Sequence, residues 1–170
     1  MISFYKLYEY LNNKDYIVYC DLDGVLVDLE RGVREKLNIE QPLGRLGIMK
    51  GLAQIKKNGD DLVEFFGSLP WTADGERLWN FIKKYDATIL TGGGNVNDIM
   101  RGKDLWVAKN LNLSPDKVIH ETNKKLHAQK NTILIDDYET NVREFNNAGG
   151  IGIQHVNANN TINTLKNYLE

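Results

Sequence analysis

The stretch Tyr16-Ile17-Val18-Tyr19-Cys20-Asp21-Leu22-Asp23-Gly24 decides the fold of this 170-residue chain. Its first five residues are β-branched, aromatic or small, and they lead directly into two acidic residues and a glycine. A short, continuous apolar run that ends so abruptly predicts a strand buried on both faces, as in a parallel sheet. The acidic residues then lie at the carboxyl end of that strand.

Four further apolar runs have the same character. They are residues 87–91, 117–120, 132–135 and 151–154, and amphipathic helical patterns lie between them. One such pattern covers residues 74–85, with Asp74 as its expected N-cap, and others cover 138–147 and 161–169. Strands that alternate with helices predict an α/β fold with a doubly wound parallel sheet and right-handed crossovers.

The first crossover is much longer than one helix needs. It carries two helical patterns, at residues 31–37 and 52–66, and the glycines Gly44 and Gly47 separate them. We interpret the excess as a small helical cap inserted after the first strand, over the strand ends. The predicted division is a core domain of residues 1–27 and 72–170 and a cap of residues 28–71.

The composition excludes several classes of protein. Hydrophobic residues make up 42% and charged residues 26% of the chain, which fits a folded globular protein rather than a disordered one. The formal net charge of -2 offers no broad attraction to a nucleic-acid polymer or an anionic membrane, so we expect neither as a partner. The one cysteine, Cys20, cannot form an internal disulfide, and no apolar run approaches the roughly 20 residues that span a bilayer. We therefore expect a cytoplasmic protein.

Polar side chains follow three of the predicted strands. Asp21 and Asp23 follow the first, Thr91 ends the second, and Asp136 and Asp137 follow the fourth. In a doubly wound sheet these positions meet in one crevice at the carboxyl edge. Carboxylates gathered there suit a hard cation such as Mg²⁺, and they also suit nucleophilic and acid–base chemistry on a phosphate ester.

The residue types suggest a role for each position. Asp21 is the candidate nucleophile, Asp23 the candidate acid and base, and Asp137 completes a magnesium shell with Asp136 in it or just outside it. Thr91 and the N–H groups of residues 92–94 suit a phosphate. A lysine should neutralise the remaining phosphate charge, and the candidates are Lys103, Lys109, Lys124 and Lys125. Lys103 and Lys109 are six residues apart, so they cannot face the same site from one helix.

The first motif, Asp21-Leu22-Asp23-Gly24-Val25-Leu26, resembles that of the haloacid dehalogenase superfamily of phosphatases. Residues 89–91 resemble its second motif and residues 133–137 its fourth. Within the superfamily the chain is similar to the 5'(3')-deoxyribonucleotidase family. That similarity rests on Phe65-Phe66-Gly67-Ser68-Leu69-Pro70, on Lys103 ahead of Trp106, on Lys124 or Lys125, and on Asn141, Phe145 and Gly149-Gly150. The resemblance covers most of residues 19–152.

The resemblance implies Asp21 as nucleophile, Asp23 as acid and base, and Thr91 and Lys103 as phosphate ligands. It also implies magnesium held by Asp21, the backbone carbonyl of Asp23 and Asp137, and a nucleoside monophosphate as substrate. One departure concerns Gly92, because the family tends to have serine after the threonine. At this position a glycine N–H replaces a side-chain contact to phosphate, or that contact is lost.

Two expectations concern side chains near the substrate. In one long helix from residue 95 to residue 111, Lys103 would lie about 12 Å from the N-terminus, too far to reach a phosphate bound there. We therefore expect residues 93–102 to be largely loop, with the helix beginning near Lys103; an unbroken helix from residue 96 would exclude Lys103 from phosphate binding. Phe65, Phe66 and Trp71 are candidates to stack on a nucleobase, and filling the interior beneath the cap is an equal alternative for the two phenylalanines.

The favoured function is a magnesium-dependent phosphomonoester hydrolase that acts on nucleoside 5'- or 3'-monophosphates through an aspartyl-phosphate. The alternatives are a phosphatase of a sugar phosphate or another small phosphomonoester, a receiver-like domain phosphorylated on aspartate, and a nucleotide-binding module without turnover. A homodimer is a further expectation, because a second copy is able to cover a site that a small cap leaves open. The spacing of the three histidines does not fit a metal site, and we expect each to be solvated or satisfied by hydrogen bonds within the protein; they are His120, His127 and His155.

Overall fold

The central sheet contains five parallel strands, and the computed structural model describes residues 16–94 and 96–170. In chain order the strands are β1 (Ile17–Cys20), β2 (Thr88–Thr91), β3 (Val118–His120), β4 (Thr132–Asp136) and β5 (Ile151–Gln154). Their spatial order is β3-β2-β1-β4-β5, and each neighbouring pair is parallel. The α/β fold with a parallel sheet is confirmed, and each strand end lies within one residue of its predicted position.

Helices flank this sheet in the order that the alternating pattern predicts. They are α1 (Leu29–Leu37), α2 (Gly44–Lys57), α3 (Leu62–Gly67), α4 (Gly75–Ile82), α5 (Asn97–Leu111), α6 (Glu139–Asn147) and α7 (Ala158–Leu169). Short 3₁₀ turns add Lys83–Tyr85, Pro115–Lys117 and Lys124–His127. Within residues 16–94 and 96–170, none of the helices combines the length and apolar character that crossing a membrane requires.

Successive strand residues contribute to opposite faces of the sheet. Cys20, Ile89 and Ile135 join one large apolar cluster with the helices on their side. Leu90 and Leu134 point the other way and pack with Phe145 of α6 in a smaller cluster. Both faces of the sheet are therefore covered, which explains why the strands have continuous apolar sequences.

The segment between β1 and β2 leaves and rejoins the core at adjacent points. Val27 forms an antiparallel bridge with Trp71, and the Asp28 N–H donates to the Pro70 carbonyl at 2.9 Å. Helices α1 and α2 pack against each other, whereas α3 packs along α5. The domain division at residues 28 and 71 stays a prediction, and the contacts of α3 attach the last part of the insert to the core.

Inside this insert the helix predicted at residues 31–37 is confirmed as part of α1, whereas the boundaries predicted for the second helix, 52–66, were wrong. Helix α2 begins at Gly44 and runs through Gly47, so these glycines do not separate two helices. Glycine is tolerated in α2 because of close packing, since a Cβ at Gly51 would overlap with the Val33 side chain of α1. The chain breaks later, where Gly59 has a φ of 83°, and α3 then begins after an N-cap aspartate.

The prediction that residues 93–102 are largely loop was also wrong. Helix α5 begins at Asn97 and is unbroken to Leu111. Its packing along α3 accounts for this, because Gly102 lies so close to α3 that a Cβ there would overlap with Phe66. The Trp106 indole N–H donates to the Leu69 carbonyl at 2.8 Å and attaches α5 to the segment that follows α3.

Asp74 directly precedes α4, but its carboxylate does not cap that helix. Its Oδ2 instead accepts a hydrogen bond from the Ala158 N–H at 2.6 Å, at the beginning of α7. The side chain therefore connects two helices that are distant in sequence, a contact that the local pattern does not contain.

Candidate active site

A tight turn follows β1 and carries the two acidic residues of the first motif. The Leu22 carbonyl accepts hydrogen bonds from the N–H groups of Leu26 and Val27, at 2.9 and 2.8 Å. Gly24 has a φ of 79°, and a Cβ at this position would overlap with the Asp137 carboxylate. Glycine is required here both by its backbone conformation and by the approach of Asp137.

Three carboxylates meet beyond the ends of β1 and β4. One oxygen each of Asp21, Asp136 and Asp137 lies within 4.8 Å of the others. The strand register produces this meeting, since Cys20 pairs with Ile135 and the Asp21 N–H donates to the Ile135 carbonyl at 2.8 Å. Asp21 and Asp136 are buried, whereas Asp137 faces solvent.

Lys124 inserts its ammonium group between two of these carboxylates. Its Nζ lies 2.8 Å from Asp21 Oδ1 and 2.6 Å from Asp136 Oδ2, and its side chain is 3% exposed. The adjacent Lys125 points outward and pairs with Glu144 at 3.2 Å. Of the two lysines, Lys124 is therefore the one that enters the site, where its observed partners are carboxylates.

Further donors engage Asp136. Its Oδ1 accepts the Tyr138 N–H at 2.8 Å, and the Asn141 amide lies 3.2 Å from Oδ1 and 3.0 Å from Oδ2. A carboxylate offers about four acceptor positions, and these donors together with Lys124 occupy them. Asp136 is thus held rigidly at the centre of a hydrogen-bonded network.

Lys103 makes a second group of contacts on the other side of Asp21. Its Nζ lies 2.6 Å from Asp23 Oδ2 and 3.0 Å from Thr91 Oγ1, and it also donates to the Gly92 carbonyl. Lys103 is buried and Lys109 is exposed, so only the former reaches the site. Lys103 reaches Thr91 from an unbroken helix, which the sequence analysis did not expect, because α5 passes the end of β2 at its middle and not at its N-terminus. Phosphate binding by Lys103 stays a prediction.

The crowding of carboxylates perturbs their acidity. Burial, reinforced by the charge of Asp21, raises the pKa of Asp23 and of Asp136, although Lys103 and Lys124 respectively oppose this. Asp137 keeps an exposed side chain, yet partial burial of its carboxyl and the charges of Asp21 and Asp136 raise its pKa to about 6. Burial alone would lower the pKa of Lys124, but Asp21 and Asp136 outweigh burial and raise it.

The donor set fits a hard divalent cation. Asp21 and Asp137 offer only oxygen, which Mg²⁺ prefers, and Gly24 leaves room beside Asp137, whereas Asp136 adds negative charge with its acceptor positions already occupied. Asp23 Oδ1 is buried and has no hydrogen-bond partner among the described residues, as expected for an atom that awaits a ligand. A cation among these groups would also offset the mutual repulsion of the carboxylates.

Two of the aromatic candidates for base stacking belong to α3, and the third, Trp71, follows that helix and contacts α5. Phe65 and Phe66 are buried edge to face, with ring centroids 5.4 Å apart, and Phe66 lies against Gly102. Trp71 is half-buried, and its ring centroid lies 4.7 Å from that of Trp106. All three thus make core contacts, and stacking on a nucleobase stays a prediction.

Two contacts near the site were missed by sequence reasoning. The Arg45 guanidinium of α2 lies over the Tyr138 ring at 3.8 Å and joins the insert to the residue after Asp137. His120, at the end of β3, pairs with Asp104 of α5 at 2.7 Å. A polar residue at a strand end is the same signal that identified Thr91, so His120 was detectable, whereas no local signal identifies Arg45.

Comparison with known proteins relates this architecture to solved structures. No family model matches the sequence, and no curated protein matches it closely enough to count as a relative. L-2-haloacid dehalogenase from Xanthobacter autotrophicus is 12% identical, with a TM-score of 0.54 over 82% of this chain and 76% of that chain. A hydrolase from Streptococcus pneumoniae is 11% identical, with a TM-score of 0.55 over 89% of this chain and 99% of that one.

A third solved structure is described as a HAD-superfamily hydrolase and comes from Ehrlichia chaffeensis. It is 13% identical, with a TM-score of 0.51 over 91% of this chain and 97% of that chain. At such low identity the likeness concerns the fold. The chain has the fold of the haloacid dehalogenase-like hydrolases.

Proposed function

We propose that this protein is a magnesium-dependent phosphomonoester hydrolase with Asp21 as its nucleophile. The observation that carries the proposal is the meeting of Asp21, Asp136 and Asp137 within 4.8 Å, with Lys103 and Thr91 on the other side of Asp21. A site for a dianionic phosphate needs cationic groups on more than one side of the reacting atom. Lys103 beside Thr91 supplies one such group, and a cation held among the carboxylates would supply the other.

Asp21 begins the reaction. The Leu22 N–H and Lys124 both donate to its Oδ1, at 2.8 Å each, and orient the carboxylate, so we expect Oδ2 to attack. A bond forms between this oxygen and phosphorus while the bond from phosphorus to the leaving oxygen breaks. The protonated form of Asp23 gives its proton to the leaving oxygen, which departs as an alcohol.

Hydrolysis of the aspartyl-phosphate follows. Asp23, now ionised, takes a proton from a water molecule that attacks phosphorus. The bond between phosphorus and Asp21 then breaks, which releases phosphate and restores the carboxylate. Lys103 suits this sequence because it contacts both Asp23 and Thr91, so it connects the proton-transfer group with the phosphate ligand.

The cation would be held by Asp21 and Asp137, with the Asp23 backbone carbonyl as the third protein ligand that the sequence resemblance implies. When bound, Mg²⁺ lowers the repulsion between the attacking carboxylate and the phosphate. Asp136 is less suited to direct coordination, because the donors of Lys124, Tyr138 and Asn141 already occupy its oxygens. Its role is to hold Lys124 against Asp21.

Dehalogenation is the second candidate, because some structures with this fold are haloacid dehalogenases. The chemistry of Asp23 argues for phosphate transfer instead. A halide leaves as a stable anion and needs no proton, whereas an alkoxide leaving group does. Asp23, which is paired with Lys103 at 2.6 Å, can supply that proton, so it has a clear role only when the leaving group is an alkoxide.

The proposed substrate is a nucleoside 5'- or 3'-monophosphate, the class that the sequence motifs imply. Sugar phosphates and other small phosphomonoesters are the alternatives. Trp71 is the candidate for base contact that is only half-buried, whereas Phe66 is 2% exposed and packs on α5. If a base stacks in this site, we therefore expect Trp71 to contribute more of that contact than Phe66.

The test is phosphate release from deoxynucleotides, ribonucleotides and sugar phosphates, each measured with Mg²⁺ and with a chelator. Chloride release from 2-chloropropionate is measured in parallel. We expect magnesium-dependent phosphate release that Asp21→Asn lowers at least about a thousandfold. Chloride release without phosphate release would replace the proposal with dehalogenation, and release of neither would favour a receiver-like or binding role.

Two lysines of α5 supply a matched comparison. Lys103→Met removes the buried contact with Thr91 and Asp23, so we expect KM for the phosphoester to rise and kcat to fall. Lys109→Met removes an exposed ammonium from the same helix and should leave both constants unchanged. Equal kinetics for the two variants would contradict the phosphate-binding role of Lys103.

A further inference from the structure

His120 lies beside the glycines proposed to bind phosphate. It pairs with Thr91 in the parallel register between β2 and β3, at the carboxyl edge of the sheet. The adjacent Glu121 N–H donates to the Thr91 carbonyl at 3.0 Å, so the end of β3 runs alongside the segment after β2. We refer to Gly92, Gly93 and Gly94 as the glycine loop.

Asp104 fixes the orientation of the His120 ring. Its Oδ1 lies 2.7 Å from Nε2, and it extends from α5 directly after Lys103. One turn of α5 therefore supplies both a lysine to Thr91 and an aspartate to His120. The position of the imidazole is thus coupled to that of the lysine proposed to bind phosphate.

The other ring nitrogen faces the glycine loop without a partner. Nδ1 is buried and forms no hydrogen bond among the described residues. A Cβ placed on Gly93 would lie 3.7 Å from Nδ1, which shows how near the ring is to the main chain there. A buried polar atom without a partner is uncommon, and it indicates a group whose partner arrives with a ligand or a change of conformation.

The contact with Asp104 determines what Nδ1 can do. In a neutral imidazole one nitrogen carries the proton and the other accepts, and a carboxylate 2.7 Å from Nε2 favours the proton on Nε2. Nδ1 is then an acceptor near a loop that offers main-chain N–H donors, whereas the Gly92 carbonyl of that loop already accepts from Lys103. The loop consists of glycines, so its peptide planes can turn with little steric cost.

We infer that His120 is a positioning residue for the glycine loop, whose Nδ1 accepts a main-chain N–H of that loop when phosphate is bound. This contact holds one peptide of the loop in place and leaves the neighbouring N–H groups directed at the phosphate. The inference rests on the proposed function and adds to it a group outside the acidic cluster. His120 does not contact the reacting atoms, so we expect it to act on phosphate affinity more than on the chemical step.

Two substitutions separate the functions of the ring nitrogens. His120→Asn keeps an acceptor near the position of Nδ1, whereas His120→Gln keeps a donor near the position of Nε2 and loses Nδ1. The probe is inorganic phosphate, titrated calorimetrically into the full chain with Mg²⁺. We expect His120→Gln to weaken phosphate about three- to tenfold, the range for one hydrogen bond, and His120→Asn about twofold or less.

Kinetics with the best phosphoester supply a readout that a merely structural role would not produce. For His120→Gln, KM should rise in proportion to the loss of phosphate affinity while kcat stays within about twofold of wild type. The inference is overturned if His120→Gln binds phosphate like wild type, or if His120→Asn is weakened as much as His120→Gln. If His120→Asn is weakened while His120→Gln binds phosphate like wild type, the ring serves only its contact with Asp104.

Asp104→Ala tests the same inference from an exposed position and does not depend on a substitution at the half-buried histidine. It releases Nε2 and should weaken phosphate as His120→Gln does, whereas Asp98→Ala removes an exposed carboxylate of the same helix and should not. Equal affinities for these two variants overturn the inference. If the wild type neither binds nor releases phosphate, the proposed function fails as well, whereas turnover without an effect of His120→Gln or Asp104→Ala rejects the inference alone.

Discussion

Replacing Lys124 with methionine should destabilise the metal-free protein severely. The ammonium lies 2.8 Å from Asp21 and 2.6 Å from Asp136, and the lysine side chain is 3% exposed. Methionine fills a similar volume but leaves two buried carboxylates, with Asp137 nearby, without their cation. Breaking a buried ion pair by removing one partner costs about 3–5 kcal/mol in the free energy of unfolding. At about 2–4 °C per kcal/mol for a chain of this size, the midpoint of thermal unfolding should fall by roughly 6–20 °C.

Lys125→Met is the matched control, since it removes the adjacent lysine. That side chain is 44% exposed and pairs with Glu144 at 3.2 Å, so its loss should cost no more than about 1 kcal/mol. Both variants are unfolded by urea and by heat, first with a chelator and then with excess Mg²⁺. Magnesium should restore more stability to Lys124→Met than to Lys125→Met, because the bound cation offsets the carboxylate charge that Lys124 no longer neutralises. Equal stability of the two variants without metal would refute the view that Lys124 neutralises Asp21 and Asp136.

Three further predictions concern other charged groups. Asp137→Asn should leave the metal-free protein at least as stable as wild type, because it removes repulsion with Asp21 and Asp136, but it should abolish stabilisation by Mg²⁺ in thermal unfolding. Arg45→Ala should cost about 0.5–1 kcal/mol, and a double-mutant cycle with Tyr138→Leu in urea should show coupling of that size. Burial lowers the pKa of His155, with Asp74 partly opposing, so the unfolded chain binds a proton more readily and stability should fall as the pH drops below 6.5. His155→Gln should remove this component, of at most about 1.4 kcal/mol per pH unit, from unfolding curves measured between pH 5 and 8.

The strands were predictable because each strand of a sheet that is covered on both faces has a continuous apolar sequence. Cys20 and Tyr19 face opposite sides and both pack, so the run stays apolar from one residue to the next. The helices of the insert have a less distinct sequence pattern. Gly47 and Gly51 lie inside α2, where glycine is unfavourable; a Cβ at Gly51 would overlap with Val33 of α1, and a Cβ at Gly47 would overlap with Leu43. The function of Asp74 likewise depends on Ala158, which lies 84 residues away in sequence.

The acidic residues of the site were predictable for a topological reason. Parallel strands place their carboxyl ends at one edge, so residues that follow β1 and β4 meet without any signal from the segments between them. The same rule applied to β3 would have identified His120, which was instead expected to be a solvated or satisfied histidine. The ion-pair partners of the acidic side chains could not be predicted from the sequence. Whether Lys124 or Lys125 enters the site depends on the orientation of one 3₁₀ turn, Lys124–His127.

Lys103 reaches Thr91 although the geometry predicted for its helix was wrong. The distance along a helix measures the separation from its first residue, and it equals the distance from a ligand only if the helix begins at that ligand. Helix α5 begins at Asn97, after the chain has moved away from β2, and packing on α3 then carries its middle turns past Thr91. Helix length therefore placed no limit on what Lys103 reaches. The relevant signal was Gly102, which lets α5 approach Phe66 closely enough for the next residue to enter the site.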